Sequence, residues 1–127
     1  MKTLSAITLG ALLLTAATAQ AAIDNPTVSR KAVSYSCQSG KKVKVTYGFN
    51  RQGLPTYAKA FANGKNRYMP INLSRSDNVE TIFGDENSFS LSTDYMDRKN
   101  YRQRPVMITA PDGEIVFKNC SPRRSRR

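Results

Sequence analysis

The sequence predicts an all-β protein: a small eight-stranded antiparallel barrel or sandwich closed by one disulfide. Short segments alternate apolar and polar residues with a period of two, beginning with residues 33–37 and 42–49. Turn sequences separate these segments at intervals of about ten residues, as in small barrels and sandwiches. The only two cysteines, Cys37 and Cys120, end the first and the last predicted strand.

The predicted strands follow one another with no helical pattern of useful length between them. A short polar segment, residues 38–41, joins the first two strands, and Asn63-Gly64 is the dipeptide preferred by type I′ hairpins. Residues 93–104 form the longest irregular segment, with room for one helical turn. The eight strands are predicted at residues 33–37, 42–49, 54–62, 65–73, 79–83, 88–92, 105–110 and 114–120.

We expect side chains to fill the barrel, although eight strands can also enclose one small ligand. The residues predicted to face inward are bulky. They are Val33, Tyr35, Val43, Val45, Tyr47, Ile82, Phe89, Leu91, Met107, Ile115 and Phe117.

The two ends of the chain differ in composition from the predicted domain at residues 33–120. Residues 1–21 begin with a positively charged residue, Lys2, followed by an apolar stretch too short for a membrane span. They end in the small-x-small site Ala19-Gln20-Ala21, as in a secretory signal peptide. Residues 22–32 are predicted to be a mobile leader, and residues 121–127 a basic tail. Cleavage after Ala21 would leave 106 of the 127 residues, which is enough for one domain.

The cysteines and the missing histidines limit the chemistry. In an oxidising compartment, two cysteines most simply form a disulfide, the alternative being free or intermolecular thiols. The chain has no His, no glycine-rich phosphate loop and no cluster of metal-ligand residues. The sequence therefore predicts neither an enzyme nor a cofactor or metal site.

Charge is distributed unevenly along the chain. After loss of the signal peptide the formal net charge is +10, from 19 Lys and Arg and 9 Asp and Glu. Residues 77–97 hold six acids and no Lys or Arg, a charge of −6, while the rest of the mature chain carries +16. These acids either form a surface for a cationic partner or make weak surface pairs with the many cations.

Two basic segments have similar alternatives. Four of the last five residues are Arg, so the tail is either simply solvated or an anchor for polyanions. Lys41, Lys42 and Lys44 in the first hairpin either protect it from aggregation or form an adhesive patch.

Several stretches resemble the adhesin complex protein family of Gram-negative cocci: residues 35–49, 69–73, 107–112 and 115–120. The opening Tyr-x-Cys and the terminal Cys also resemble, more remotely, the MliC group of lysozyme inhibitors. The resemblance implies an exported β-barrel, in the periplasm, on the outer-membrane surface or secreted. It would plug the active-site cleft of host c-type lysozyme and contribute to host-cell adhesion. The alternative is a surface adhesin that binds anionic host glycans through its basic faces and does not inhibit lysozyme.

The resemblance also implies where lysozyme would bind. MliC-type inhibitors insert a serine-rich loop into the cleft, helped by a lysine on a neighbouring loop, and residues 74–78 take that place here. The acids that follow would face the basic enzyme. No specific nucleic acid is expected as a partner. The implied lysozyme-binding residues are Ser74, Ser76, Asp77, Asn78, Glu80, Asp94, Tyr95, Lys99 and Tyr101.

Overall fold

A computed structural model describes residues 26–123, and the fold is all-β as predicted. The predicted signal peptide and the last four residues of the tail lie outside the described residues. Short 3-10 turns occupy Gln38–Gly40 and Tyr101–Gln103. The eight strands are β1 (Ser29–Ser36), β2 (Lys42–Phe49), β3 (Pro55–Ala62), β4 (Lys65–Pro70), β5 (Glu80–Gly84), β6 (Ser90–Asp94), β7 (Val106–Thr109) and β8 (Ile115–Pro122).

The strands form two antiparallel meanders that meet at both sides in a nearly closed barrel. The first meander is β1–β4 and the second is β5–β8, in the sheet order β4-β3-β2-β1-β8-β7-β6-β5. Only two residue pairs join β1 to β8, Tyr35 with Pro122 and Ser36 with Ser121. On the other side a single bridge pairs Ile71 with Phe83. Both junctions are short, so little backbone pairing holds the meanders together.

The predicted disulfide lies at the junction between β1 and β8. Cys37 follows the end of β1 and is bonded to the fully buried Cys120 of β8, with their Cα atoms 4.0 Å apart. Beyond the two residue pairs, the backbone N–H of Arg123 donates to the carbonyl of Ser34 at 2.7 Å. The covalent bond therefore reinforces a weak backbone junction.

Aromatic rings fill much of the interior. The ring centroid of Tyr47 lies 5.8 Å from that of Phe83 and 6.4 Å from that of Phe49, which in turn lies 5.5 Å from that of Tyr101. The buried hydroxyls of Tyr35 and Tyr47 share a hydrogen bond of 2.5 Å. Burial raises the pKa of both phenols well above the ordinary value, so both stay protonated and satisfy each other in the core.

The inward positions are as predicted in the first meander and partly different in the second. Val106, Ile108 and Val116 are buried, whereas Met107 and Phe117 are only half-buried and Ile115 is exposed. Phe117 nevertheless packs against the core cluster, as predicted. The predictions for Met107 and Ile115 were wrong because β7 and β8 begin with continuous apolar runs, in which alternation does not identify the inward side. Ile82 is buried as expected, but it lies outside the core cluster, whereas its neighbour Phe83 belongs to it.

Several strand bounds also differ from the predictions; β6, for example, runs Ser90–Asp94 instead of residues 88–92. β1 begins at Ser29, where it pairs with Phe49, so residues 29–32 belong to the sheet and not to a mobile leader. β4 ends at Pro70 instead of residue 73, because the next residue, Ile71, donates its N–H to Thr56 of β3 but pairs with Phe83 of β5. β8 continues through Pro122, so the tail begins two residues later than predicted.

The loop between β4 and β5 is held by its own polar side chains. The hydroxyl of Ser76 accepts from the N–H of Ile82 at 2.9 Å and donates to its carbonyl at 3.2 Å. The carboxylate of Asp77 accepts from the N–H groups of Val79 and Glu80 at 2.8 and 2.9 Å. These backbone donors lower the pKa of Asp77 below its ordinary value of 3.8. The loop is therefore a defined turn.

Removing the disulfide should cost much of the folding stability. The bond closes a loop with a sequence separation of 83, for which the chain-entropy model gives about 4–5 kcal/mol. We expect the C37A/C120A variant to lose about that much free energy of unfolding in a denaturant titration. Reducing agent should destabilise the unmodified protein and leave the variant unchanged. A loss below about 1 kcal/mol would show that backbone pairing alone holds the junction.

Replacing Asp77 should loosen only its own loop. In Asp77→Asn, hydrogen exchange at the amides of Val79 and Glu80 should be faster than in the unmodified protein at neutral pH. Because the folded-state pKa is lowered, the carboxylate stabilises the loop fully above pH 3.8, and this effect is lost as the pH falls through the lowered value. The difference should therefore shrink in acid. Asp85→Asn, in the next turn, is the control and should leave both amides unchanged; faster exchange in both variants would contradict the assignment.

Candidate functional site

Three carboxylates gather where β5 begins and β6 ends, and we call this cluster the acidic end: Asp77, Glu80 and Asp94. Glu80 and Asp94 are direct cross-strand partners, and Asp77 accepts a hydrogen bond from the N–H of Glu80. All three side chains are exposed. Like charges directly opposite each other destabilise a strand pair. The pairing thus concentrates negative charge at the surface at some cost to folding.

Two apolar side chains stand in solvent beside the acidic end. Leu73 is 62% exposed and Val79 is 72% exposed, both in the loop between β4 and β5. The half-buried Tyr95 follows β6 and donates its N–H to the carbonyl of Val79 at 2.8 Å. Exposed apolar groups flanked by charges are typical of a protein-binding surface.

Sequence reasoning missed these two apolar residues because it placed both in strands. Leu73 followed the alternation of the predicted fourth strand, and Val79 opened the predicted fifth. The available signal was Pro70, which lacks the N–H needed to continue a ladder and therefore marks a strand end.

The other predicted site residues have different environments. Ser74 is exposed and donates its hydroxyl to Asn72 at 2.8 Å, and Asn78 and Lys99 are exposed. Ser76 uses its hydroxyl within the loop, both as donor and as acceptor. Tyr101 is only 7% exposed and packs against Phe49 in the core, so the structure does not place its ring at the surface.

The six acids of residues 77–97 do not form one continuous edge, contrary to the expectation from sequence. Asp85 and Glu86 lie in the turn after β5, at the opposite end of the β5–β6 hairpin from the acidic end. The five residues of β5 span about 16 Å, which is two Debye lengths at physiological salt. The two groups of acids therefore lie at opposite ends of the hairpin, although Glu80 and Glu86 line the same groove.

Two shallow grooves run over the outside of the second meander and meet near the acidic end. One, of about 380 Å³, is lined with hydroxyls from Ser90 and Thr109 and bordered by Arg75. The other, of about 570 Å³, is bordered by Asp94 and Lys118. The side chains common to both are Glu80, Ser92 and Met107.

The two meanders carry opposite charge. Residues 26–76, which contain the first meander, have ten Lys and Arg and no Asp or Glu. Residues 77–123, which contain the second, have six Lys and Arg and eight Asp and Glu. The segregation noted in the sequence is thus a segregation between the two halves of the barrel.

Neither a metal site nor a membrane helix is found in the part of the chain that the structure describes. Between residues 26 and 123, no three His, Cys, Asp or Glu side chains come together in a way that could hold a metal ion. Within the same range, no helix has the length and apolar character required to cross a membrane.

Comparison with known proteins identifies the family. A family model described as the ACP-like domain (Nm-ACP) matches residues 31–122. Among solved structures, the Adhesin Complex Protein from Neisseria meningitidis is similar, with 63% sequence identity and a TM-score of 0.70. The match covers 74% of this chain and 100% of that one. A search of the curated proteins finds no match. Because the family match spans most of the barrel, the chain belongs to the ACP-like domain family.

Proposed function

We propose that this protein is an exported, non-enzymatic adhesin. The observation that carries the proposal is its 63% identity to the Adhesin Complex Protein from Neisseria meningitidis over the whole length of that chain. At this identity, surface loops as well as the core are expected to be similar. The predicted signal peptide and the disulfide support export to an oxidising compartment.

Binding to host cells tests this proposal. We expect the purified, folded protein to bind epithelial cells, and we expect this binding to saturate. The matched control is the same chain after reduction and alkylation, which keeps every lysine and arginine but loses the bond that closes the barrel. Equal binding by both forms would mean that charge alone causes attachment, which would contradict the proposed adhesin function. A complete lack of binding would contradict it as well.

A second candidate function is inhibition of host c-type lysozyme, as the resemblance to the MliC group implies. The acidic end with its exposed Leu73 and Val79 supports it, because c-type lysozyme is a basic protein. The net positive charge of the chain would repel the enzyme at long range. Screening over about 8 Å at physiological salt lets the nearby carboxylates outweigh more distant cations. Arg75 and Lys118, which border the grooves, reduce this advantage.

The residues suited to contact lysozyme differ from the set implied by sequence. Exposed Asn78 can donate its amide hydrogens to the carboxylates of the lysozyme cleft. Leu73 and Val79 would supply the apolar contact, and Glu80 and Asp94 the long-range attraction. Ser76 and Asp77 instead keep the loop in shape.

Reversing the charge of the acidic end should weaken inhibition. We expect E80K/D94K to slow the association with lysozyme by about tenfold at low salt, with a smaller effect at high salt. Two lysines repel across the strands as two carboxylates do, so the folding stability should change little. The measurement is the association rate and inhibition constant against lysozyme.

The control is D85K/E86K, which makes the same charge change at the far end of the hairpin. It should reduce the association rate less than twofold. An equal loss in both variants would show that only net charge matters, and an unchanged inhibition constant in E80K/D94K would exclude the acidic end. If the unmodified protein does not inhibit lysozyme, this second function fails and the adhesin proposal stands.

A further inference from the structure

The outward side of the first meander is a cationic surface without acids. β1 and β2 expose Arg30, Lys42 and Lys44, and β3 exposes Lys59. Alternation fixes the direction of Lys42, Lys44 and Lys59, because their neighbours Val43, Val45, Ala58 and Ala60 are all buried. Arg30 of β1 lies opposite Gly48 of β2. Successive lysines on one side of β2 lie about 7 Å apart. We call this surface the basic face.

Aromatic side chains lie among these cations. Phe61 is 59% exposed and Tyr68 is 61% exposed, on neighbouring strands β3 and β4. The Tyr57 ring lies 5.2 Å from that of Tyr68, centroid to centroid, at an angle of 33°. Tyr57 also lies directly over Gly48, where any Cβ would clash with the ring. The glycine thus allows the ring to lie flat on the sheet.

A cation and an aromatic ring are direct cross-strand neighbours on this surface. Lys59 pairs with Thr46 of β2 on one side and with Tyr68 of β4 on the other. A ligand lying across β3 and β4 therefore meets a cation and a ring side by side. Both Phe61 and Tyr68 are more than half exposed, so a large part of each ring is accessible to a ligand.

We infer that the basic face binds a sulfated polysaccharide of the glycosaminoglycan type. Its sulfates would pair with the lysines and Arg30, while the C–H faces of its sugar rings pack on the aromatic rings and its hydroxyls reach the tyrosine hydroxyls. A membrane surface fits less well, because Phe61 is the only fully apolar member and Lys59 interrupts the aromatic groups. This inference rests on the proposed adhesin function and specifies its ligand class and surface.

Heparin oligosaccharide serves as the probe, with protein expressed from the full-length sequence. K44Q/K59Q should weaken binding at least tenfold, and the slope of log affinity against log salt concentration should fall by about one per lysine. F61S/Y68S should weaken binding several-fold with the slope unchanged, because no charge is removed. The matched control is K99Q/K118Q, which removes two exposed lysines outside the first meander and should change affinity less than twofold.

Several results would overturn the inference. One is a loss of heparin affinity in K99Q/K118Q equal to that in K44Q/K59Q, and another is an unchanged heparin affinity in F61S/Y68S. A third is binding of duplex DNA or phosphatidylserine vesicles as tight as the binding of heparin. The inference would also be overturned if deletion of residues 124–127 abolished heparin binding while K44Q/K59Q bound heparin as tightly as the unmodified protein. Thermal unfolding of each variant verifies that it is folded. If the unmodified protein binds host cells but does not bind heparin, the inference is wrong and the adhesin proposal stands. If the unmodified protein does not bind host cells, the adhesin proposal itself is wrong.

Discussion

The junction between β1 and β8 is the constraint on which the barrel depends. Two residue pairs and one disulfide close a sheet that would otherwise expose two strand edges and the aromatic core. On the opposite side, the backbone pairing is limited to the bridge from Ile71 to Phe83 and the adjoining loop. A barrel with two short junctions leaves each meander largely an independent sheet. The covalent bond and the shared core, in which Tyr47 packs against Phe83, fix their relative position.

This topology turns a pattern in the sequence into a pattern in space. In a meander, consecutive strands are neighbours, so a contiguous acid-free stretch becomes one contiguous surface. Residues 26–76 form the cationic half, and residues 77–123 hold eight of the nine acids. Charge repulsion within each half costs some stability, which the disulfide offsets. One small protein thereby presents two surfaces of different charge, for which we propose an anionic polymer and a cationic protein as partners.

The sequence predicted the strand number, the disulfide and the Asn63-Gly64 turn, because each has a local or chemical signature. The left-handed backbone of that dipeptide, with φ values of 49° and 85°, matches a type I′ turn. The sequence could not orient Met107 and Ile115, since uninterrupted apolar runs fit either side of a strand. For the site, composition located the acids but not their split between two ends of a hairpin. It also could not reveal Leu73 and Val79, whose exposure depends on where Ile71 changes its partner strand.

Two separate surfaces on opposite meanders can be observed directly by following backbone amide shifts of isotope-labelled protein by NMR. A short heparin oligosaccharide and c-type lysozyme are added in separate titrations. Two independent sites predict that the oligosaccharide shifts amides of β2–β4, while lysozyme shifts those of residues 72–80 and the adjoining end of β6. One shared set of shifted amides for both ligands, or oligosaccharide shifts confined to β5–β8 or to the arginine tail, would contradict it.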